Sequence, residues 1–218
     1  MDEVILIDKP QGMTSFGVVA RLRRVLSNQA GKKVKVGHTG TLDPFATGLM
    51  IIVTGKKCRE AETFTKLDKW YEAEIILGKN SSTGDPEGEI TDVSDYGPSL
   101  KEVQQVVSQF VGKIEQTPPI FSAIKINGER AYKLAREGKQ VEIPKRVIEI
   151  YLLELLAYEY PKLKIRTHVS SGTYIRTLAV DIGEKLGTGA YCENLRRTKI
   201  ADYSIDEAKT LADFGITS

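Results

Sequence analysis

Cysteine is scarce: Cys58 and Cys192 are the only two in 218 residues. They stand far apart, form no C-x-x-C and cannot build a disulfide framework. A reducing compartment, the cytoplasm, is the expected home. Histidine is as scarce, with only His38 and His168. Without clustered acids at ligand spacing, a structural zinc is not expected. No apolar run approaches the length of a membrane span. The opening residues, MDEVILIDKPQG, lack the basic start and long apolar core of a signal peptide. Internal repeats and low-complexity tracts are missing. So are the phosphate-gripping patterns G-x-x-x-x-G-K-[ST] and G-x-G-x-x-G after a strand.

What is present is an ordinary globular composition, 41% hydrophobic and 28% charged, enough for a real core. No Pro/Ser-rich linker divides the chain, so one domain over residues 1–218 is expected. The formal net charge of +2 permits a nucleic-acid partner without demanding one. Basic residues gather at Arg21–Arg24, Lys32–Lys35, Lys56–Arg59 and Arg196–Lys199. Each cluster taken alone reads as a solvated face.

Periodicity then sets the elements. Val4 to Ile7 is a short strand entering the Pro10–Gly12 turn. Thr14 or Ser15 caps a helix whose Phe16, Val19, Leu22 and Leu26 recur at helical spacing. Leu49 to Val53 reads as a buried strand, followed by a polar helix near 56–67. Tyr71, Ala73, Ile75 and Leu77 alternate with more polar neighbours, the period of a strand. Residues 80–98 are rich in Gly, Asp, Ser and Pro and read as a long mobile loop. Ser99 and Glu102 form a capping box before a stripe of Leu100, Val103, Val107, Phe110 and Val111. Residues 146–158 fit a strand, though their Leu and Glu content also suits a helix. Leu163, Ile165, Thr167 and Val169 share one strand face, and a helix opens after Gly172 and Thr173. Strands mixed with helices in no regular βαβ order predict an α+β fold on a mixed, mostly antiparallel sheet flanked by helices.

Three segments could carry chemistry. In VGHTGTLDPFATG (36–48) the single acid, Asp43, stands among small residues. Glycines allow close backbone approach, and Pro44 holds Asp43 extended, presenting its carboxylate. Such a carboxylate can be a nucleophile or a general base; an Asx turn is the plainer reading. In SSGTYIR (170–176) Arg176 lies in a first helical turn, where its charge opposes the helix dipole. It therefore seeks a specific anion, either a phosphate or a carboxylate such as Asp43, or else a local partner, Asp181 or Glu184. In 116–136, Lys125, Arg130, Lys133 and Arg136 are interleaved with Phe121 and Tyr132, which suits a nucleic-acid grip or an ordinary basic helix.

Six stretches, in this order, resemble the TruB-type tRNA pseudouridine synthases: LIDKPQGMTS (6–15), KVGHTGTLDPFATGLM (35–50), DKWYEAEIILG (68–78), QTPPIFSAIKINGERAYKLAREG (116–138), VSSGTYIRTLAVDIGEKLG (169–187) and YCENLRRTKI (191–200). The resemblance implies a single pseudouridine synthase catalytic domain with a cleft across its sheet; in length the chain departs from many relatives, and the C-terminal PUA-type RNA-binding module that they carry is expected to be lacking. It implies isomerisation of uridine 55 in the tRNA T loop, with the base flipped out of its stack. No metal or organic cofactor, no membrane and no guide RNA are implied, and a monomer is expected. Asp43 falls on the catalytic aspartate, Tyr71 on the active-site tyrosine that stacks on the target base, and Arg176 on the arginine that pairs with the aspartate. Tyr174 and Leu195 fall on positions lining the uracil pocket. His38 falls on the histidine that packs against displaced nucleotides of the RNA loop. Lys9 and Pro10 match a structural turn, and His168 matches no functional position. The competing readings are a tRNA-binding folding chaperone with the same cleft and the catalytic subunit of an RNA-guided particle.

Overall fold

The computed structural model describes residues 2–120, 122, 125, 126, 129, 130 and 143–217. Phe121, Tyr132, Lys133 and Arg136, named above for a nucleic-acid grip, lie outside the described residues. In chain order the described strands are β1 (Val4–Lys9), β2 (Val36–His38), β3 (Thr47–Thr54), β4 (Lys69–Leu77), β5 (Lys79–Ser81), β6 (Ile90–Asp92), β7 (Gly112–Gln116), β8 (Lys125–Ile126), β9 (Glu129–Arg130), β10 (Arg146–Glu159), β11 (Lys162–Val169), β12 (Ala190–Ile200) and β13 (Tyr203–Ser204). The described α-helices are α1 (Ser15–Ala30), α2 (Ala61–Thr65), α3 (Leu100–Ser108) and α4 (Ile175–Leu186). The chain divides into two compact units, one of residues 1–72 and 195–218, the other of residues 73–194. It leaves the first unit inside β4 and returns to it inside β12.

In the first unit β3 is the organising strand. It pairs antiparallel with β1, from Val4↔Val53 to Lys9↔Gly48, antiparallel with β2, and parallel with β12 at Arg196↔Thr47 and Arg197↔Gly48. Leu49 to Val53 are fully buried, which is why they read as an unbroken apolar run rather than an alternation. Leu49, Ile51, Val53 and Ile200 form a core on which Val4, Leu6, Phe64, Leu67 and Tyr203 close. Helix α1 is capped by Thr14, whose hydroxyl accepts from the Gly17 N–H at 2.9 Å. It buries Ser15, Val18, Val19, Leu22 and Leu26. Phe16 departs from the expected stripe and is 65% exposed. It stands one residue, about 100°, round the helix from Ser15 and so misses the buried face. The polar helix foreseen at 56–67 is a 3₁₀ segment, Gly55–Glu60, followed by the short α2.

In the second unit β10 is paired with β11 on one side and with β7 on the other, both antiparallel. Residues 146–159 are thus strand rather than helix. Leu163, Ile165, Thr167 and Val169 all face inward on β11. The capping box of α3 is formed as expected by Ser99 and Glu102, and α3 packs on α4 and β10. Val103, Val107 and Phe110 are buried, whereas Leu100 and Val111, at the two ends of that stripe, are half exposed. Residues 80–98 are not simply a loop. They fold back as the β5–β6 hairpin, pairing Lys79↔Asp92 to Ser81↔Ile90, and bury Asp85 in its turn.

Candidate active site

Asp43 sits half-buried in the connection between β2 and β3. The backbone on both sides of it is fixed by residues remote in sequence. Arg197, on β12, donates from Nε to the Leu49 carbonyl at 2.7 Å, from Nη2 to Gly40 at 3.1 Å and from Nη1 to Thr41 at 3.4 Å. Ser15, at the start of α1, holds both ends of Leu42. Its Oγ donates to the Leu42 carbonyl at 2.9 Å and accepts from the Leu42 N–H at 2.8 Å. The Pro44 carbonyl accepts from Lys9 Nζ at 3.2 Å and from the Gly12 N–H at 2.8 Å. Lys9 also donates to the carbonyls of Pro10 and Met13. The Ala46 N–H closes the turn on the Asp43 carbonyl at 3.2 Å.

Two of these clamps are fully buried cations, Lys9 and Arg197. A buried charge is tolerated only when its donors are used, and main-chain carbonyls use them here. Arg197 corrects one expectation: Arg196–Lys199 is not a solvated face. Arg197 is 1% exposed, and Arg196 makes a two-pronged pair with Asp8, at 2.7 and 3.2 Å. Glycine is required at position 48, where φ is +110° and a Cβ would stand 2.3 Å from the Arg197 carbonyl oxygen.

A third buried cation, Lys69, begins β4. Its Nζ donates to the carbonyls of Thr65, at 2.9 Å, and Leu67. Burial, and then the charge of Arg197, push its pKa down to about 8. Tyr71 shares the inward face of β4 with Lys69 and is nearly buried. Leu195 shares the inward face of β12 with Arg197. His38 ends β2 opposite Ile52, and the next residue, Thr39, donates its N–H to Ile51 as the Asp43 turn begins. His38, Asp43, Tyr71 and Leu195 therefore all belong to the first unit.

Tyr174 and Arg176 belong to the second unit. Tyr174 is the N-cap of α4 and makes no side-chain cap. Gln116, buried at the end of β7, fixes its main chain: Oε1 accepts from the Tyr174 N–H at 2.8 Å and Nε2 donates to its carbonyl at 3.0 Å. The Arg146 guanidinium lies over the Tyr174 ring at 4.9 Å. Arg176 is 3% exposed, and its Nη1 donates to Asp85 Oδ2 at 2.8 Å and to the Thr83 carbonyl at 3.0 Å. Asp85, 2% exposed, also accepts from Thr83 Oγ1 at 2.5 Å and from the Glu87 N–H at 3.1 Å. The cation set against the helix dipole is therefore paired with Asp85, from the segment expected to be a mobile loop. His168 packs its ring on Tyr151, at 4.7 Å between centroids, as befits a strand histidine.

The family model described as "TruB family pseudouridylate synthase (N terminal domain)" matches residues 23–175. The chain belongs to this family. A second model, "tRNA pseudouridylate synthase B C-terminal domain", matches residues 176–216 of this TruB-family chain. The "tRNA pseudouridine synthase B" of Chloroherpeton thalassium is 44% identical over 97% of the chain and 88% of that protein. That of Aquifex aeolicus is 44% identical over 98% of the chain and 74% of that protein. Among solved structures, a Cbf5-Nop10-Gar1 complex contains a chain with a TM-score of 0.75 and 31% identity. The match covers 96% of the present chain and 52% of that one, so the present chain spans about half its length. Membership of the TruB family makes the chain a pseudouridylate synthase by class. Among the described residues, no helix is long and apolar enough to cross a membrane, and no group of three or more His, Cys, Asp or Glu could hold a metal ion.

Arg197, Lys69, Gln116 and Asp85 were missed by sequence reasoning. Arg197 looks like its neighbours in a basic run, and Asp85 looks like any acid in a turn-rich segment. Lys9 and Ser15 stand in a stretch that carries the family resemblance, which was the one available signal for them.

Proposed function

We propose that this TruB-family chain isomerises uridine to pseudouridine in tRNA, at position 55 of the T loop, with residues 1–218 acting as one catalytic domain. The observation that carries this reading is the clamped turn around Asp43. A lone carboxylate on a backbone held by two buried cations and a serine is pre-positioned for attack, since misplacement by about 1 Å costs on the order of 100-fold in rate. Asp43 attacks the nucleotide or assists departure of uracil from C1′. The C1′–N1 bond breaks, the base turns, C5 bonds to C1′ as any bond from Asp43 to the nucleotide breaks and frees its carboxylate, the C5 proton leaves and N1 takes up a proton. Tyr71 stacks on the flipped base, and Tyr174 and Leu195 line the uracil site. His38 packs against nucleotides displaced from the loop. Arg176 carries the family arginine's role as charge partner of the nucleophile. The substrate is tRNA without a guide RNA and the enzyme is a monomer. Free thiols at Cys58 and Cys192 suit a reducing cytoplasm.

The test is carbodiimide-based pseudouridine mapping on an unmodified tRNA transcript incubated with the chain alone. A single new stop at the T-loop target, lost when that uridine becomes cytidine, is the expected result. Modification elsewhere, or only with an added guide RNA, would overturn the position or the partner.

A further inference from the structure

Between Asp8 and Asp43 the chain carries Lys9, Arg21, Arg23, Arg24, Lys32, Lys33 and Lys35 and not one acid. Only Lys9 of these is buried. Among the described residues no carboxylate pairs with the other six; Asp2 feels the charge of Lys32 at longer range. A net charge of +2 for the whole chain therefore conceals a one-signed strip on its first unit. Phe16 stands at one end of this strip. It is the one exposed large hydrophobic residue of the strip, and the Arg23 guanidinium lies 5.8 Å from its ring centroid. Ser15, which grips Leu42 beside Asp43, is its neighbour in the chain. Phe16 thus marks the edge of the Asp43 turn, and α1 runs away from that turn towards the lysines.

We propose that Phe16 and the acid-free face of α1 are a second RNA contact, with Phe16 stacking on an unpaired base and Arg23, Arg24 and the lysines following the phosphates. The proposal rests on the tRNA-modifying reading and adds a surface to it. Charge decides the partner: six unpaired cations without an acid suit a polyanion. The single ring decides its kind. One exposed phenylalanine is too little to anchor a helix in a bilayer or to build a protein interface, but it suffices to stack one base. Helix α1 has 16 residues, about 24 Å, long enough to follow several successive phosphates.

The experiment measures equilibrium binding of the full chain to a T stem-loop RNA whose target uridine is replaced by cytidine, across a salt series. Phe16→Leu should weaken binding roughly five- to a hundred-fold, while Phe16→Trp should restore it, because Leu keeps apolar bulk and loses the stacking face. Arg23→Gln with Arg24→Gln should lower the salt slope by roughly 1.4–1.8. All these positions are at least partly exposed, and thermal melts should match wild type. Leu binding as well as Phe, an unchanged salt slope, or binding of phosphatidylserine vesicles that depends on Phe16 would each overturn the proposal. Tritium release from uracil C5 of unmodified tRNA, measured in parallel, keeps the two readings apart. Release without any Phe16 effect sinks the surface alone. A Phe16 effect without release sinks the proposed reaction alone.

Discussion

Replacing Arg197 with methionine removes the guanidinium and keeps most of the aliphatic stem in place. Three carbonyls, those of Gly40, Thr41 and Leu49, then lose their donor inside the protein. A hydrogen bond from a charged donor contributes about 1.5–3 kcal/mol, so three contribute nominally about 5–9 kcal/mol. Against this stands the desolvation of a fully buried guanidinium, several kcal/mol that methionine does not incur. The difference leaves a loss of about 3–5 kcal/mol, the usual range for breaking one side of a buried charged site. Function should suffer separately, because the Asp43 turn loses its support on the Gly40–Thr41 side. Turnover is expected to fall on the order of 100-fold with RNA affinity little changed. A third readout follows from Lys69, whose ionisation Arg197 opposes. Its pKa should rise in Arg197→Met. Urea unfolding at pH 7, tritium release and NMR titration of Lys69 read the three effects. A variant within about 1 kcal/mol of wild type, fully active and with Lys69 unmoved, would refute the reasoning.

Other substitutions probe other parts of the account. Lys69 sits at about pKa 8 when folded against 10.5 as a free side chain, so the folded state binds fewer protons between those values. Stability should therefore rise with pH from about 8 to 10.5 by up to about 3 kcal/mol relative to Lys69→Met, and a flat difference between the two in pH-dependent unfolding would contradict it. Gly48→Ala combines a positive φ with a Cβ driven into the Arg197 carbonyl. A loss of at least about 2 kcal/mol is expected in denaturant unfolding, and a neutral outcome would mean that the β3–β12 contact yields easily. Asp85→Ala leaves Arg176 buried beside an empty site and should cost about 3–5 kcal/mol. Asp85→Glu, which retains the charge, should recover part of that loss in the same thermal melts.

Among the strands, β3, β4 and β11 were the most legible. Alternation marked β4 and β11, and an unbroken apolar run marked β3, because a strand's burial is written into its own residues. Caps were legible for the same reason: Thr14, Ser99 and Glu102 act within three residues of themselves. Phe16 was misread because spacing alone does not say which edge of a helical stripe the core covers. Asp85 and Arg197 were illegible for a deeper reason. Their roles depend on partners 91 and 157 residues away, and nothing local separates a buried arginine from the solvated one beside it. The Asp43 turn lay between these cases. Pro44 and the glycines predict a presented carboxylate, whereas the clamps that hold the turn come from β1, α1 and β12.

The central claim is that the clamped carboxylate of Asp43 performs the chemistry. Its most direct test is tritium release from C5 of the T-loop uridine in unmodified tRNA, comparing wild type with Asp43→Asn at saturating enzyme. The amide fills the same space but cannot act as the nucleophile. The account predicts release by wild type and none above background by Asp43→Asn, with tRNA binding retained by both. Release by Asp43→Asn at a rate near that of wild type would contradict it.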